Sequence, residues 1–138
     1  MYYNGKGIPR DYTQALSWFR KAAEQGSPDA KLNIGLMYHK GPGVPQDYTQ
    51  ATAWYQKAAE QGNYQAQCNL GFMYNNGLGV TQNYAEAYYW FAIAAHGETE
   101  SGKQEQIIKL RDGAASHLTP AVLLREQQRV SEWFEDGD

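Results

Sequence analysis

The sequence repeats itself every 36 residues, and that period constrains the fold more than any other feature. Gly5, Gly41 and Gly77 fall in register, as do Gly7, Gly43 and Gly79. Tyr12, Tyr48 and Tyr84 match, then Ala15, Ala51 and Ala87, then Trp18, Trp54 and Trp90. Ala22-Ala23, Ala58-Ala59 and Ala94-Ala95 complete the set. Residues 1–36 and 37–72 share 20 identical positions, and residues 37–59 and 73–95 share 11. A chain with such a period stacks copies of one supersecondary unit, each covering the apolar face its neighbour would expose.

Each unit reads as two helices. Over 12–25, Tyr12, Ala15, Leu16, Phe19, Ala22 and Ala23 lie on one face, with Thr13, Ser17, Arg20, Lys21 and Glu24 opposite. The register places the equivalent helices at 48–61 and 84–96, and shorter ones at 28–39 and 64–75. Asp11 with Gln14, Asp47 with Gln50 and Asn83 with Glu86 form capping-box patterns. Gly26, Gly62 and Gly97 suit left-handed helix ends, and Pro28 after Ser27 suits a first turn. Gly35 and Gly71 interrupt the short helices, which implies a close helix–helix approach there. Trp18, Trp54 and Trp90 are expected to pack between neighbouring units. Gln67 is expected on the surface, and Cys68, in register with Leu32, as a buried inert thiol.

Residues 1–97 thus form the repeat region, and 98–138 leave the pattern. Ile107, Leu110, Ala114 and Leu118 mark one further helix. Thr119-Pro120 opens a last one carrying Leu123, Leu124, Val130, Trp133 and Phe134. This segment is expected to cap the stack. Met1-Tyr2 aligns with Met37-Tyr38, so the chain opens inside a unit. The apolar face around Tyr12, Leu16 and Phe19 is therefore expected to lack its partner, and either to self-associate or to be covered by a preceding unit of a longer protein.

The run from Ala30 through Gly41-Pro42-Gly43-Val44 and Asp47-Tyr48 to Trp54 and Ala58-Ala59-Glu60-Gln61-Gly62 resembles the Sel1-like repeat family, relatives of the tetratricopeptide repeats. The resemblance implies an all-α fold, a right-handed α/α solenoid of antiparallel helix pairs. It also implies a non-catalytic scaffold or adaptor that binds a partner protein or peptide. A cysteine-rich branch of that family, credited with weak penicillin binding and β-lactamase-type hydrolysis, offers the alternative reading. It carries a Cys pair in each unit, and here Cys68 stands alone.

The residues offer little chemistry. The Gly-x-Gly loops follow helices rather than strands, and they lack the third Gly or Lys-Ser/Thr of a phosphate loop. No Ser-x-x-Lys nucleophile occurs, and His39, His96 and His117 share no ligand spacing. No catalytic residue, metal or cofactor is expected. A net charge of -3 excludes a general nucleic-acid grip. No apolar run is long enough to insert in a membrane, no signal peptide is legible, and the compartment stays open. What remains is a stripe on the short helices: Asp29, Asn33, Leu36 and Lys40 in one unit, Gln65, Asn69, Phe72 and Asn76 in the next. Each set spans one narrow arc beside the core face. Asn supplies a donor and an acceptor for a peptide backbone, and Leu36 and Phe72 offer apolar seats. These eight residues are the expected partner-binding groove.

Overall fold

The computed structural model of the chain describes residues 12–41, 44–98 and 100–136. Among the described residues seven helices follow one another: α1 Tyr12–Glu24, α2 Pro28–Lys40, α3 Tyr48–Glu60, α4 Tyr64–Asn76, α5 Tyr84–Gly97, α6 Ser101–Ala115 and α7 Pro120–Asp136. No strand occurs among the described residues. The protein is an all-α solenoid. Asp11, the first glycine pair, Gly43 and the end of the acidic tail lie outside the described residues.

The helices start where a side chain can take an orphan N–H. Ser27 accepts from the Ala30 amide at 3.1 Å and Asn63 from Ala66 at 2.8 Å. Asp47 and Asn83 accept from Gln50 and Glu86, both at 3.1 Å. Such caps contribute about 1 kcal/mol each. The reciprocal half of the box is not built. The Asp47 and Asn83 amides instead donate to Tyr38 and Tyr74 carbonyls at 2.9 Å, which ties each outer helix back to its inner partner. Glu86 is drawn away to Arg129, 2.9 Å off on α7.

Gly26 and Gly62 end α1 and α3 at φ 96°. The Ser27 and Asn63 amides reach back to Ala22 and Ala58 carbonyls at 3.1 and 3.2 Å, closing the turn that a left-handed residue permits. Gly97 departs from that expectation: it is the last residue of α5 and not left-handed. Its role is proximity, because a Cβ there would stand 2.9 Å from the Tyr64 Cβ.

Glycine also sets the helix pairing. A Cβ on Gly35 would lie 2.6 Å from the Tyr55 ring, and one on Gly71 would lie 2.8 Å from Phe91. Tyr55 and Phe91 are repeat equivalents, both fully buried. Each inner helix therefore accepts an aromatic ring of its outer partner in the notch that glycine leaves. Neighbouring units are clasped at their turns. Gln61 Nε2 donates to the Gly26 carbonyl at 2.8 Å, Lys31 Nζ donates to Gln61 Oε1 at 2.5 Å, and Asn63 Nδ2 donates to Asp29 Oδ1 at 2.9 Å.

Two apolar clusters result among the described residues. Leu16, Ala23, Ala30, Ile34 and Met37 form one, with Trp54 of the next unit packed on it. The larger spans α2 to α7 and holds Leu32, Tyr55, Leu70, Phe91, Trp90, Ile107 and Val130. The tryptophans bear out inter-unit packing only in part. Trp90 is 4% exposed and meets Trp133 edge-on at 5.7 Å, whereas Trp18 is 59% exposed. Leu16 also corrects its expectation, since α2 buries it and the apolar surface that stays open on α1 is Trp18. Gln67 is not on the surface: it is 2% exposed and donates to the Ala59 carbonyl at 3.2 Å. Position 67 faces α3, so its amide completes that helix's last turn.

Candidate functional site

The inner helices α2, α4 and α6 line one groove of about 390 Å³. Its apolar lining is Leu32 and Leu36 from α2 with Ile107 and Leu110 from α6. Gln65, Cys68 and Asn69 come from α4, Gln106 and Lys103 from α6, and Glu98 from the α5–α6 turn. Pro28, Tyr64 and Ser101 open these three helices, so the inner-helix spacing continues past the last recognisable repeat.

Three of the eight stripe residues, Leu36, Gln65 and Asn69, line the groove together. Asn69, Gln65 and Gln106 make no side-chain hydrogen bond among the described residues, so their amides stay open to a ligand. The other five do not join that lining. Asp29 accepts from Asn63, and Asn33 Nδ2 returns to the Asp29 carbonyl at 3.0 Å. Asn76 Nδ2 likewise bonds the Phe72 carbonyl at 3.0 Å. Asn before Leu/Ile-Gly therefore has two fates: Asn33 is committed to its own helix, and Asn69 is not. Lys40 is exposed. Phe72, 42% exposed, stacks on His39 with ring centroids 6.3 Å apart.

His39 is embedded in aromatic rings. Its Nδ1 lies 3.0 Å from Tyr55 Oη, and Tyr48 sits edge-on to its ring. Burial, then the neighbouring Lys40 charge, holds its pKa below the ordinary value, so it is neutral near pH 7. Burial, with the Glu98 carboxylate nearby, pushes the Cys68 thiol up to about 11. That leaves almost no thiolate at neutral pH, the opposite of an activated nucleophile. No group of three or more His, Cys, Asp or Glu side chains is placed to hold a metal among the described residues.

A smaller hollow of about 250 Å³ lies on α1, α2 and α3, lined by Arg20, Lys31, Trp54 and Lys57. Its cations are already engaged: Arg20 donates to Tyr38 Oη, Lys31 to Gln61, and Lys57 lies over the Trp54 ring. No described helix is long and apolar enough to cross a membrane.

Sequence reasoning missed the α6 wall and Glu98. Ile107 and Leu110 were legible as apolar but not as groove residues. The signal that places them is the helix spacing, which persists after the repeat residues have gone.

A stack of helix pairs with an inner groove defines a helical-repeat solenoid. The family model for the Sel1 repeat matches residues 1–27, 28–63 and 65–97, and the chain belongs to that family. A comparison with curated proteins finds no match. Among solved structures, the chain is similar to c5321, a protective antigen present in uropathogenic Escherichia coli strains and displaying an SLR fold. The two are 34% identical with a TM-score of 0.82, covering 91% of this chain and 26% of that one. It is also similar to a Sel1 repeat protein from Oxalobacter formigenes, 41% identical with a TM-score of 0.61, covering 62% of this chain and 35% of that one. The chain thus spans about a quarter to a third of the length of these relatives. Sel1 repeat proteins are typically protein–protein interaction scaffolds.

Proposed function

We propose that this chain is a non-catalytic docking module that takes an extended segment of a partner protein into the α2/α4/α6 groove. The observation that carries this is the groove's lining: four aliphatic side chains beside three amides that no described residue engages. Aliphatic anchors supply affinity, and amides can satisfy a peptide backbone that water would otherwise hydrate. Asn33, Asp29, Lys40, Phe72 and Asn76 extend the surface on either side. Cys68 is the chain's single cysteine and lines the groove, so it reports occupancy directly. Peptides selected from a random library should slow alkylation of Cys68 at high pH, and Asn69→Ala should weaken them. Selected peptides that leave Cys68 as reactive as before would place binding elsewhere. The hydrolase reading needs a nucleophile beside a base. The raised Cys68 thiol argues against it, and nitrocefin turnover above background would restore it.

The exposed Trp18 supports a second contact. We infer that this face of α1 self-associates, since the equivalent Trp54 is half-buried against the first cluster and Trp90 is buried beside Trp133. Light scattering at micromolar concentration should show an assembly that Trp18→Ala disperses. A monomer in both cases ends the idea.

A further inference from the structure

We propose that the groove selects a peptide segment that sets a lysine or arginine side chain against Glu98 and an aliphatic residue beside it. This rests on the docking reading above and adds the partner's chemistry.

Two acids are buried among the described residues. Glu126 is 2% exposed and Glu98 is 5% exposed. Glu126 is neutralised inside the protein, with Arg129 Nη1 at 2.6 Å and Arg125 Nε at 3.4 Å. Glu98 has no cation within 4.0 Å among the described residues. Its one side-chain hydrogen bond there is to the Glu100 amide, which donates to Oε1 at 2.9 Å. A carboxylate removed from water without a cation is strongly unfavourable, so a fold keeps one where something else supplies the charge.

The nearest candidate on the protein is Lys103, which lines the same groove. Its ammonium sits 3.7 Å from Glu100, with both side chains more than half exposed. That pair is a solvated rim contact and leaves the deeper carboxylate as it is. The charge at Glu98 is felt across the groove, since it contributes to the raised Cys68 thiol. An anionic ligand would meet this carboxylate with repulsion, and a wholly apolar one would bury it unpaired. A cationic side chain satisfies it, and Leu32, Leu36, Ile107 and Leu110 take the methylene stem and an adjacent aliphatic residue. The volume of about 390 Å³ is in the range of ligand pockets.

The test uses three glycine-flanked peptides, Leu-Arg-Leu, Leu-Gln-Leu and Leu-Glu-Leu, titrated by calorimetry against the full chain and Glu98→Gln. On the natural chain the arginine peptide should bind at least about tenfold tighter than the glutamine peptide, and the glutamate peptide should bind weakest. Glu98→Gln keeps the acceptor for the Glu100 amide. It should erase the arginine preference, leave the glutamine peptide unchanged and melt at the same temperature or higher. An arginine preference that survives Glu98→Gln overturns the proposal, as does a lower melting point for that variant. Equal binding of the three peptides by the natural chain overturns it too, whether or not the variant folds. Equal binding that still protects Cys68 from alkylation leaves the docking reading standing. Failure of all three peptides to bind or to protect Cys68 removes both.

Discussion

The helices α1, α3 and α5 occupy the same place in successive units, yet α1 buries three residues and α5 buries nine in succession, Ala87 to Ala95. The difference lies in what covers them. α1 packs on α2, whereas α5 is enclosed by α4, α6 and α7. The sequence follows that environment position by position. Arg20 and Lys21 become Gln56 and Lys57 in α3, then Ala92 and Ile93 in α5, and Ser17 becomes Ala53 and then Tyr89. Register fixes the inward stripe, and place in the stack fixes how far apolar character spreads around the helix.

That contrast makes the tryptophans the sharpest probe. Trp90→Ala should cost about 3–5 kcal/mol by urea unfolding, the range for large buried aromatics. Trp18→Ala should cost within about 0.5 kcal/mol, with Trp54→Ala between them. Three equal losses would mean that burial does not grade along the stack. The glycine notch comes next. Gly71→Val drives a side chain into Phe91 and should cost about 1–3 kcal/mol, while Ala53→Val on an exposed turn of α3 should cost within about 0.6 kcal/mol.

The α7 side can be broken electrostatically. Arg129 bridges Glu86 on α5 and Glu126 on α7 and stacks 4.0 Å from the Tyr89 ring centroid. Arg129→Met should cost about 1–2 kcal/mol, below the figure for fully buried pairs because the arginine is 37% exposed. Amide exchange should rise in α7 and leave α2 and α3 unchanged. The mildest effect is chemical. Alkylation of Cys68 should keep rising about tenfold per pH unit past pH 9, where an ordinary thiol levels off, and approach its limit only near the raised value of about 11.

The repeat region was legible because its signals occur more than once. Ser27 and Asn63, Asp47 and Asn83, Gly35 and Gly71 each support the same local structure twice, and the expected helices match the observed ones to within about a turn. What escaped was set by a single neighbour. Gln67 looks like a solvated residue beside Lys31 in the register, and only the α3 carbonyl it meets shows why it is buried. Gln46 and Gln82 recur at the period, yet their link from the preceding inner helix to Tyr48 and Tyr84 needs coordinates. The groove was half legible. Leu36, Gln65 and Asn69 shared an arc, but Asn33 and Asn76 could equally face outward or fold back on their helices. The α6 wall carries no repeat residue to announce it.

The turns after α1 and α3 are interchangeable parts. Each has a left-handed glycine, a residue that reaches back to the alanine pair, and that same residue, Ser27 or Asn63, capping the helix that follows. Excising residues 28–63 would join Ser27 to Tyr64 with that chemistry in place, and duplicating them would set Asn63 before Pro28, one cap standing in for the other. At the level of the gene, unequal crossing-over between the two copies would lengthen or shorten the groove in whole steps. Past Gly97 this freedom ends, because α7 fits the aromatic and aliphatic back of α5 and would find Arg20 and Lys21, or Gln56 and Lys57, on any other outer helix.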